Sequence, residues 1–287
     1  MWIANSYGKI NLGLHVLEKL PTGFHLIETG ICFIEWNDRF EVSPAEAFSL
    51  TLSDKSIPTD NSNLITKAYQ LFDRYIGLNE QYNFNVTKNI PAGAGLGGGS
   101  SNAALTLRIL NKLEDSGLST DELIDLGRTL GADVPFFIKG TPGIATGLGH
   151  DIEPVDIQPD AWIVTVYPKF ESSTAEVYQN CIPNPDHDFS IKGVLLEEEI
   201  DQWKYLLEND LEAPVFAKHE LVGNIKDQML EFGASFAMMS GSGSTVYGIF
   251  EQDFVAINAY ESFYKLGFPA NMTRPKFLPD NGIYRKD

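Results

Sequence analysis

The sequence is poor in basic residues, and this shortage limits the partners it can have. Its 287 residues include 21 lysines and arginines against 39 aspartates and glutamates, which gives a formal net charge of −18 at pH 7. Proteins that bind nucleic acids or anionic membrane surfaces need a clustered basic face. We therefore expect no nucleic-acid partner and no membrane partner. A small anionic ligand stays compatible with this charge, because it needs only local hydrogen-bond donors.

Cysteine is also scarce, and long apolar runs are missing. Cys32 and Cys181 are the only cysteines, and their spacing is not that of metal ligands, so we expect reduced, structural thiols. The first residues, MWIANSYGKINLGL, lack the basic segment and apolar core of a secretory signal. No apolar stretch approaches the length that crosses a membrane. These absences predict a soluble protein of the cytoplasm.

Hydrophobic periodicity divides the chain into two patterned parts. KINLGLHV and LPTGFHLIET predict a strand, a turn near Gly23 and a second strand, and QYNFNVT alternates like a half-exposed strand. Further along, AWIVTVYP, ASFAMM, STVYGIF and NMTRPKF predict strands, and residues 174–231 predict helices. We expect two domains, residues 1–156 and 157–287.

Three segments of the first part carry helix signals. NLITKAYQLFDRYI has apolar residues at helical spacing, with Asn61 or Ser62 as the expected cap. NAALTLRILNKL places Ala104, Leu107, Leu110 and Leu113 on one stripe. STDELIDLGRTL opens on a capping box of a serine and a glutamate three residues later. The first part therefore combines a sheet with at least three helices.

The run PAGAGLGGGSSNAA, residues 91–104, has five glycines between positions 93 and 99. It fits G-x-G-x-x-G, but the strand before a dinucleotide-binding loop is almost continuously apolar, whereas residues 82–87 alternate. The Gly-Lys-Ser/Thr of a P-loop is missing, and a flexible linker would not separate a patterned strand from a strong helix. We interpret the run as an anion-binding loop, with bare backbone N–H groups at a helix start.

The pattern P-x-G-x-G-L-G-G-G-S-S-N resembles the phosphate loop of the GHMP kinases, which include galactokinase and the homoserine, mevalonate and phosphomevalonate kinases. The resemblance extends over nearly the whole chain, through KINLGLHV, PTGFH, NLI, GADVPFF and SGSGSTVYGIF in family order. Gly8 departs from the alanine that usually precedes the lysine in this family, which makes that strand end more flexible.

The resemblance implies an α+β fold of two lobes. The N-terminal lobe would be like domain 2 of ribosomal protein S5, and the C-terminal lobe would be ferredoxin-like. It also implies ATP as co-substrate, Mg²⁺, and transfer of the γ-phosphoryl group to a hydroxyl of a small molecule. KINL together with GFH and GADVPFF resembles the members whose acceptor is a sugar alcohol linked to cytidine diphosphate.

Two residues would carry the chemistry by this resemblance. Asp133 would accept the proton of the substrate hydroxyl, and Lys9 would pair with Asp133 and offset charge on the phosphoryl group. Without the resemblance, Asp133 would be read as a surface turn aspartate and Lys9 as a snorkelling edge lysine. Asn11 shares the strand face of Lys9 and would contact the substrate.

The nucleotide and substrate sites follow in the same way. Asn63 and Lys88 would otherwise be read as a helix cap and an exposed lysine. Ser100 is the residue expected to hold Mg²⁺. The implied ATP-binding residues are Asn63, Lys88, Pro91, Gly93, Gly95, Gly97, Gly98, Gly99, Ser100, Ser101 and Asn102.

The acceptor's base would meet the residues after the first turn. His25 would read the edge of a cytosine ring, and Phe24 and Tyr178 would stack on its two faces. Thr174 would bond the substrate. Core packing is the alternative for both aromatics, and a satisfied structural histidine is the alternative for His25.

Two other functions remain open to the sequence. One is a GHMP kinase for another alcohol, such as homoserine or mevalonate, whose site would not need the aromatic residues and histidine. The other is a nucleotide-binding module without catalysis, against which the presence of both Lys9 and Asp133 argues. The motif SGSGS, residues 240–244, resembles the third glycine motif of the family, although a bare hairpin turn would have the same composition.

Overall fold

The computed structural model, which describes residues 1–286, begins with one long hairpin. Strands β1 (Trp2–Lys19) and β2 (His25–Ala45) pair antiparallel along most of their length. The turn between them closes with a 2.8 Å hydrogen bond from the Leu20 N–H to the Phe24 carbonyl. Gly23 has a φ of +89° in this turn, a conformation that favours glycine. The predicted strand, turn and strand are confirmed.

The rest of the first half adds short strands to this hairpin and covers the sheet with helices. Apolar side chains of the sheet, such as Phe40 and Phe84, pack against Phe72, Leu107 and Phe136 of the helices. Its elements are β3 (Ser49–Leu52), α1 (Leu64–Ile76), β4 (Gln81–Thr87), α2 (Gly98–Leu113), α3 (Thr120–Arg128), α4 (Val134–Lys139), β5 (Gly143–Gly147) and β6 (Asp151–Pro154).

The second half forms its own antiparallel sheet from four of its strands. The elements of this half of the chain are β7 (Trp162–Val166), α5 (Thr174–Asn180), α6 (Ile191–Glu197), α7 (Trp203–Leu206), α8 (Glu212–Lys218), α9 (Glu220–Glu231), β8 (Phe236–Met239), β9 (Val246–Phe250), α10 (Asp253–Lys265), β10 (Ala270–Thr273) and β11 (Tyr284–Arg285). The strands lie in the order β10, β7, β9, β8, and helices follow β7 and β9. This is the β-α-β-β-α-β arrangement of ferredoxin-like folds, as the sequence predicts.

The end of the chain returns to the first sheet. β11 pairs antiparallel with the start of β1, so the strands of that sheet run β11, β1, β2, β4, β3, with β5 and β6 extending from β2. Phe277 and Ile283 are buried in the core of the first half. The predicted boundary at residue 156 falls between β6 and β7 and stays a prediction, but residues beyond β10 contact the N-terminal lobe.

β1 is buried on both faces along residues 8–16, although its sequence there includes polar residues such as Lys9 and Asn11. Ile10 and Leu12 belong to a core that also contains Ile163, Phe236 and Tyr247 of the second half. The two lobes therefore share one hydrophobic core through this strand. A polar side chain of β1 lies inside the protein and needs partners there.

Helix starts differ in detail from the sequence prediction. Asn63, one residue later than expected, caps α1 by accepting a 2.8 Å hydrogen bond from the Ile65 N–H. α2 begins at Gly98, four residues before the expected start, and a Cβ on Gly98 would come within 2.9 Å of Ile90. The capping box of Ser119 and Glu122 is confirmed at α3. Within residues 1–286, no helix has both the length and the apolar character needed to span a bilayer.

Two histidines stack where β1 meets the loop before α6. The rings of His15 and His187 lie 3.5 Å apart with an interplanar angle of 3°. Glu28 Oε2 is 3.9 Å from His15 Nδ1, and Asp210 Oδ2 is 3.1 Å from His187 Nε2. Burial, and secondly the neighbouring His187, lowers the pKa of His15 from 6.5 to about 4. His15 is therefore neutral in the folded protein at pH 7.

We expect the free energy of unfolding to fall as the pH drops from 6.5 to about 4. In this interval the unfolded chain binds a proton at His15 that the folded protein excludes, so unfolding takes up protons. The loss should be on the order of 2 kcal/mol. Urea denaturation of the wild type and His15→Gln at neutral and acidic pH measures it, because the variant should lose this part of the pH dependence.

His150→Gln is the matched control, since the His150 side chain is 30% exposed and its ring contacts Asp151. It should keep the wild-type pH dependence. If the free energy of unfolding depended on pH equally in the wild type and in His15→Gln, the lowered pKa of His15 would be contradicted.

Candidate active site

A cleft of about 910 Å³ opens between the glycine loops and the first hairpin. It brings together predicted residues that are far apart in the sequence. Ser101 is the one predicted residue outside its lining. The predicted residues that line it are Lys9, Asn11, Phe24, His25, Asn63, Lys88, Pro91, Gly93, Gly95, Gly97, Gly98, Gly99, Ser100, Asn102, Asp133, Thr174 and Tyr178.

The glycine loop enters the cleft immediately before α2. Gly93, Gly95 and Gly97 have φ values of +59°, +80° and +67°, which other residues rarely adopt. A Cβ on Gly95 would also collide with the Ser240 carbonyl oxygen. The first turn of α2 faces the cleft through Gly98, Gly99 and Ser100, so its free N–H groups and helix dipole favour an anion there.

A second glycine loop, residues 240–244 between β8 and β9, packs directly on the first. Ser240 Oγ donates to the Gly95 carbonyl at 3.0 Å, and the Thr245 N–H donates to the Ala94 carbonyl at 3.2 Å. Ser240 Oγ also accepts a 3.3 Å hydrogen bond from the Asn11 N–H. Both lobes therefore build the cleft, and the SGSGS motif does more than turn the chain.

Lys9 and Asp133 meet at the centre of the cleft. Lys9 Nζ lies 3.7 Å from Asp133 Oδ2, with the lysine side chain 6% and the aspartate side chain 34% exposed. Asp133 immediately precedes α4 and makes no capping hydrogen bond among the described residues, so its carboxylate is available to a ligand.

Asn11 holds Lys9 in place from the same strand. Asn11 Oδ1 accepts a 2.5 Å hydrogen bond from Lys9 Nζ, and Asn11 Nδ2 donates to Thr29 Oγ1 at 2.9 Å. Thr29 in turn donates to the Gly13 carbonyl at 2.6 Å. This chain fixes the amide orientation, so that its oxygen faces the ammonium. Sequence reasoning expected Asn11 to contact substrate and missed its hold on Lys9.

His25 and Tyr178 face each other at the other end of the cleft. Their ring centroids are 5.1 Å apart at an interplanar angle of 32°. His25 Nε2 is buried and has no hydrogen-bond partner in the described part of the chain. Burial, and secondly Lys19, lowers the pKa of His25, so the ring is neutral at pH 7. A buried ring nitrogen without a partner is costly, and a ligand in the cleft can supply the partner.

Phe24 and Thr174 lie at the rim of this end. The Phe24 side chain is 64% exposed, so it does not serve core packing and is free to meet a ligand. Thr174 Oγ1 is 2.9 Å from Ser242 Oγ, which connects the start of α5 to the second glycine loop. Burial and the charge of Asp133 raise the pKa of the Tyr178 phenol, which therefore stays protonated.

Several predicted nucleotide residues have their side chains engaged within the protein. Asn63 caps α1 and also donates to the Pro58 carbonyl at 2.7 Å. Ser101 is turned toward β1, where its hydroxyl donates to the Tyr7 carbonyl at 2.6 Å. Lys88 Nζ donates to Asn102 Oδ1 at 2.8 Å and to Asp38. Ser100 lines the cleft as well, at the start of α2.

Two residues of the site have long-range roles that the sequence does not indicate. Asn209 donates from Nδ2 to the carbonyls of Met239 and Gly241, both at 2.9 Å, and so holds the second glycine loop from below. Ser240 bridges that loop to the first one. Their partners are backbone atoms distant in the chain, which no local pattern can indicate.

Family models match both halves of the chain. Residues 63–141 match the N-terminal domain of the GHMP kinases, and residues 189–267 match the GHMP kinase C-terminal domain. The chain belongs to the GHMP kinases. The predicted two-lobed α+β fold of this family is therefore confirmed, and GHMP kinases use ATP as co-substrate.

The curated relatives of this GHMP kinase include 4-diphosphocytidyl-2-C-methyl-D-erythritol kinases. The protein of that name from Chloroherpeton thalassium is 38% identical over 280 residues, which cover 95% of this chain and 97% of the relative. The one from Cytophaga hutchinsonii is 42% identical over 245 residues, covering 84% of this chain and 90% of the relative.

Solved structures give the same relationship. A crystal structure of 4-(cytidine 5'-diphospho)-2C-methyl-D-erythritol kinase superposes with a TM-score of 0.80 at 30% identity, covering 94% of this chain and 98% of that one. Homoserine kinase from Cytophaga hutchinsonii reaches a TM-score of 0.68 at 12% identity, over 98% of this chain and 97% of that one. The second likeness is one of fold alone.

We expect Gly97→Val to abolish measurable ATP binding. The φ of +67° at this position strongly disfavours a β-branched residue, and a Cβ would come within 2.9 Å of Phe137 and 3.1 Å of Lys9 Cγ. Calorimetric titration of the folded variant with ATP measures the effect.

Gly117→Val provides the matched control. Gly117 has a φ of +69°, and a Cβ there would meet no other atom of the described residues within 4 Å. The control carries the same backbone strain outside the cleft and should bind ATP as the wild type does. Wild-type ATP affinity in a folded Gly97→Val protein would refute the phosphate-loop assignment.

Proposed function

We propose that this GHMP kinase transfers the γ-phosphoryl group of ATP to the 2-hydroxyl of 4-diphosphocytidyl-2-C-methyl-D-erythritol, a step of non-mevalonate isoprenoid precursor biosynthesis. The names of its relatives at 38% and 42% identity support this reaction. The observation that carries the choice of acceptor is the buried, unpartnered His25 Nε2 beside Tyr178, in the same cleft as Lys9 and Asp133.

The nucleotide end of the cleft suits a triphosphate. The N–H groups of the glycine loop and of the first turn of α2 would bind the phosphate oxygens, and a loop of glycines lets them come close. Lys9 is the buried cation nearest to Asp133 and would offset the charge that develops on the transferring group. Because the chain carries a net charge of −18, the binding of an anion depends on these local hydrogen-bond donors.

The base end of the cleft suits a cytosine ring. Tyr178 and the exposed Phe24 would stack on its faces, and the neutral His25 would bond its polar edge. Asn11 and Thr174 would contact the rest of the acceptor. Tyr178 also packs against the core of the second half, whereas the 64% exposed Phe24 does not serve core packing.

The transfer step moves one proton and exchanges one bond. The acceptor hydroxyl gives its proton to Asp133, its oxygen forms the new bond to the γ-phosphorus, and the bond from that phosphorus to the β-phosphate oxygen breaks, releasing ADP. Lys9 would stay beside Asp133 during the transfer, with its ammonium 3.7 Å from the carboxylate oxygen.

The Ser100 hydroxyl is the group of this chain that suits Mg²⁺. It lines the cleft at the start of α2, and magnesium in kinases is held by few protein oxygens together with phosphate oxygens. When bound, the ion neutralises phosphate charge. Ser101 is less suited, because its hydroxyl donates to the Tyr7 carbonyl.

Asp133→Asn should lower turnover by roughly 10² to 10⁴, the usual cost of losing a general base. Its ATP affinity should stay close to that of the wild type, because the amide replaces the carboxylate without a change of size. Coupled measurement of ADP release gives the turnover, and calorimetry gives the ATP affinity. Asp125→Asn, on the exposed side of α3, is the control and should keep full turnover, whereas half of the wild-type turnover in Asp133→Asn would disprove its role as the base.

The cytidine compound should be preferred over its uridine analogue by roughly tenfold or more. Uracil exchanges a donor and an acceptor at two edge positions, which leaves buried groups unpaired at about 1–3 kcal/mol each. Tyr178→Ala should weaken the binding of the cytidine compound by about 1–3 kcal/mol, the contribution of stacking on one aromatic ring, and should leave the ATP affinity unchanged. Competition between the two compounds with purified protein, ATP and Mg²⁺ measures the preference.

Tyr205→Ala, which removes a tyrosine that is 72% exposed on α7, is the control for the stacking. It should bind the cytidine compound as the wild type does. Equal use of the cytidine and uridine compounds would exclude the base-reading site, and efficient phosphorylation of homoserine or mevalonate would assign the protein to another branch of the GHMP kinases.

A further inference from the structure

A carboxylate that the chemistry does not use lies buried behind the glycine loop. Asp38, on β2, is 0% exposed. Burying a carboxylate is costly unless hydrogen bonds or an opposite charge compensate it. The partners of Asp38 therefore show what the protein uses it for.

These partners come from both ends of the glycine loop. Asp38 Oδ1 accepts from the backbone N–H groups of Asn89 and Ile90, at 2.8 Å and 2.9 Å, where the chain leads into the loop. Asp38 Oδ2 accepts from Asn102 Nδ2 at 2.9 Å, beyond the loop on α2. It also forms an ion pair with Lys88. One carboxylate thus joins the residues before the loop to the residues after it.

The ammonium of Lys88, the lysine in this cluster, is hydrogen-bonded to partners within the protein. The Lys88 side chain is 7% exposed, and its ammonium donates to Asn102 Oδ1 at 2.8 Å as well as to Asp38. Its charge is therefore balanced by Asp38, and its ammonium has two partners inside the protein. The backbone and stem of Lys88 are what it can offer to the cleft.

A hydrogen-bond chain continues from Asn102 to β1. Asn102 Nδ2 also donates to Ser6 Oγ at 3.0 Å, and Ser6 Oγ lies 2.6 Å from Ser101 Oγ. Ser101 donates to the carbonyl of Tyr7, two residues before Lys9. The cluster around Asp38 therefore connects α2 with the segment of β1 that carries Lys9.

We propose that Asp38 is a positioning residue for the nucleotide, which acts by holding both ends of the glycine loop at the separation that fits a triphosphate. Positive-φ glycines give this loop many conformations, and fixing its ends lowers the entropy that ATP binding must remove. The inference rests on the proposed ATP-dependent reaction.

Asp38→Asn tests it, because the two oxygens of Asp38 serve different ends of the loop. The oxygen of an asparagine can still accept from the N–H groups of Asn89 and Ile90. Its NH₂ group would face the donors of Asn102 and Lys88 and cannot accept from them, so these two hydrogen bonds are lost. We expect the Kd of an ATP analogue to rise at least tenfold in calorimetry, with kcat at saturating ATP and the KM of the alcohol within about threefold of the wild type. A general structural defect would lower kcat and affect both substrates.

A second variant keeps the test decisive if Asp38→Asn leaves a buried lysine charge that prevents folding. Asp38→Asn combined with Lys88→Met removes that charge and still leaves the loop ends unconnected, so its ATP affinity should also be at least tenfold weaker. Glu41→Gln removes one negative charge from the same strand and should not change the ATP affinity.

Wild-type affinity for the ATP analogue in either folded Asp38 variant would overturn the inference. Calorimetry needs no acceptor, so its outcome is separate from that of the proposed reaction: a wrong acceptor would leave the effect on ATP intact.

Discussion

The burial of β1 on both faces is the constraint on which the rest of the structure depends. Ile10 and Leu12 of this strand pack into a core shared by both lobes, and the strand carries Lys9 and Asn11 to the centre of the cleft. A lysine inside a core must have its ammonium compensated, and Asn11 and Asp133 provide this. The contacts that compensate the buried lysine are therefore also the contacts that place Lys9 beside Asp133 in the cleft.

The cleft depends on contact between two loops of little side-chain bulk. Gly95 must be a glycine, because the Ser240 carbonyl occupies the space of a Cβ, and hydrogen bonds through Ser240 and Thr245 join the loops. Each lobe supplies one loop, so neither lobe alone forms the site. The geometry of the first glycine loop therefore depends on contacts with the second lobe.

Two lysine–aspartate pairs lie in this region, one at the surface of the cleft and one buried behind it. Lys9 and Asp133 lie at the cleft surface, where a ligand can reach the carboxylate. Asp38 and Lys88 form a second pair that is almost wholly buried and joins segments of backbone. The two lysine side chains are buried alike, at 6% and 7% exposed, but Asp133 is 34% exposed whereas Asp38 is not exposed at all. The exposure of the aspartate therefore separates a carboxylate that a ligand can reach from one that only fixes geometry.

The sequence by itself determined the local elements around the glycine loop. Alternation in residues 82–87 and the glycine run after it indicate a strand and an anion-binding helix start, and the family resemblance selects Lys9, Asp133, His25 and Tyr178, all of which line one cleft. Local pattern could do this because strand period, helix period and glycine dihedrals are properties of neighbouring residues.

Only the tertiary structure decided how these parts are held together. The return of β11 to the first sheet, the turn of Ser101 toward β1 and the burial of Asp38 all depend on residues distant in the chain. A lone aspartate in a strand gives no indication of whether it faces solvent or four donors. Its role is set by long-range packing, because the free energy of a buried charge depends on the partners that the fold brings to it.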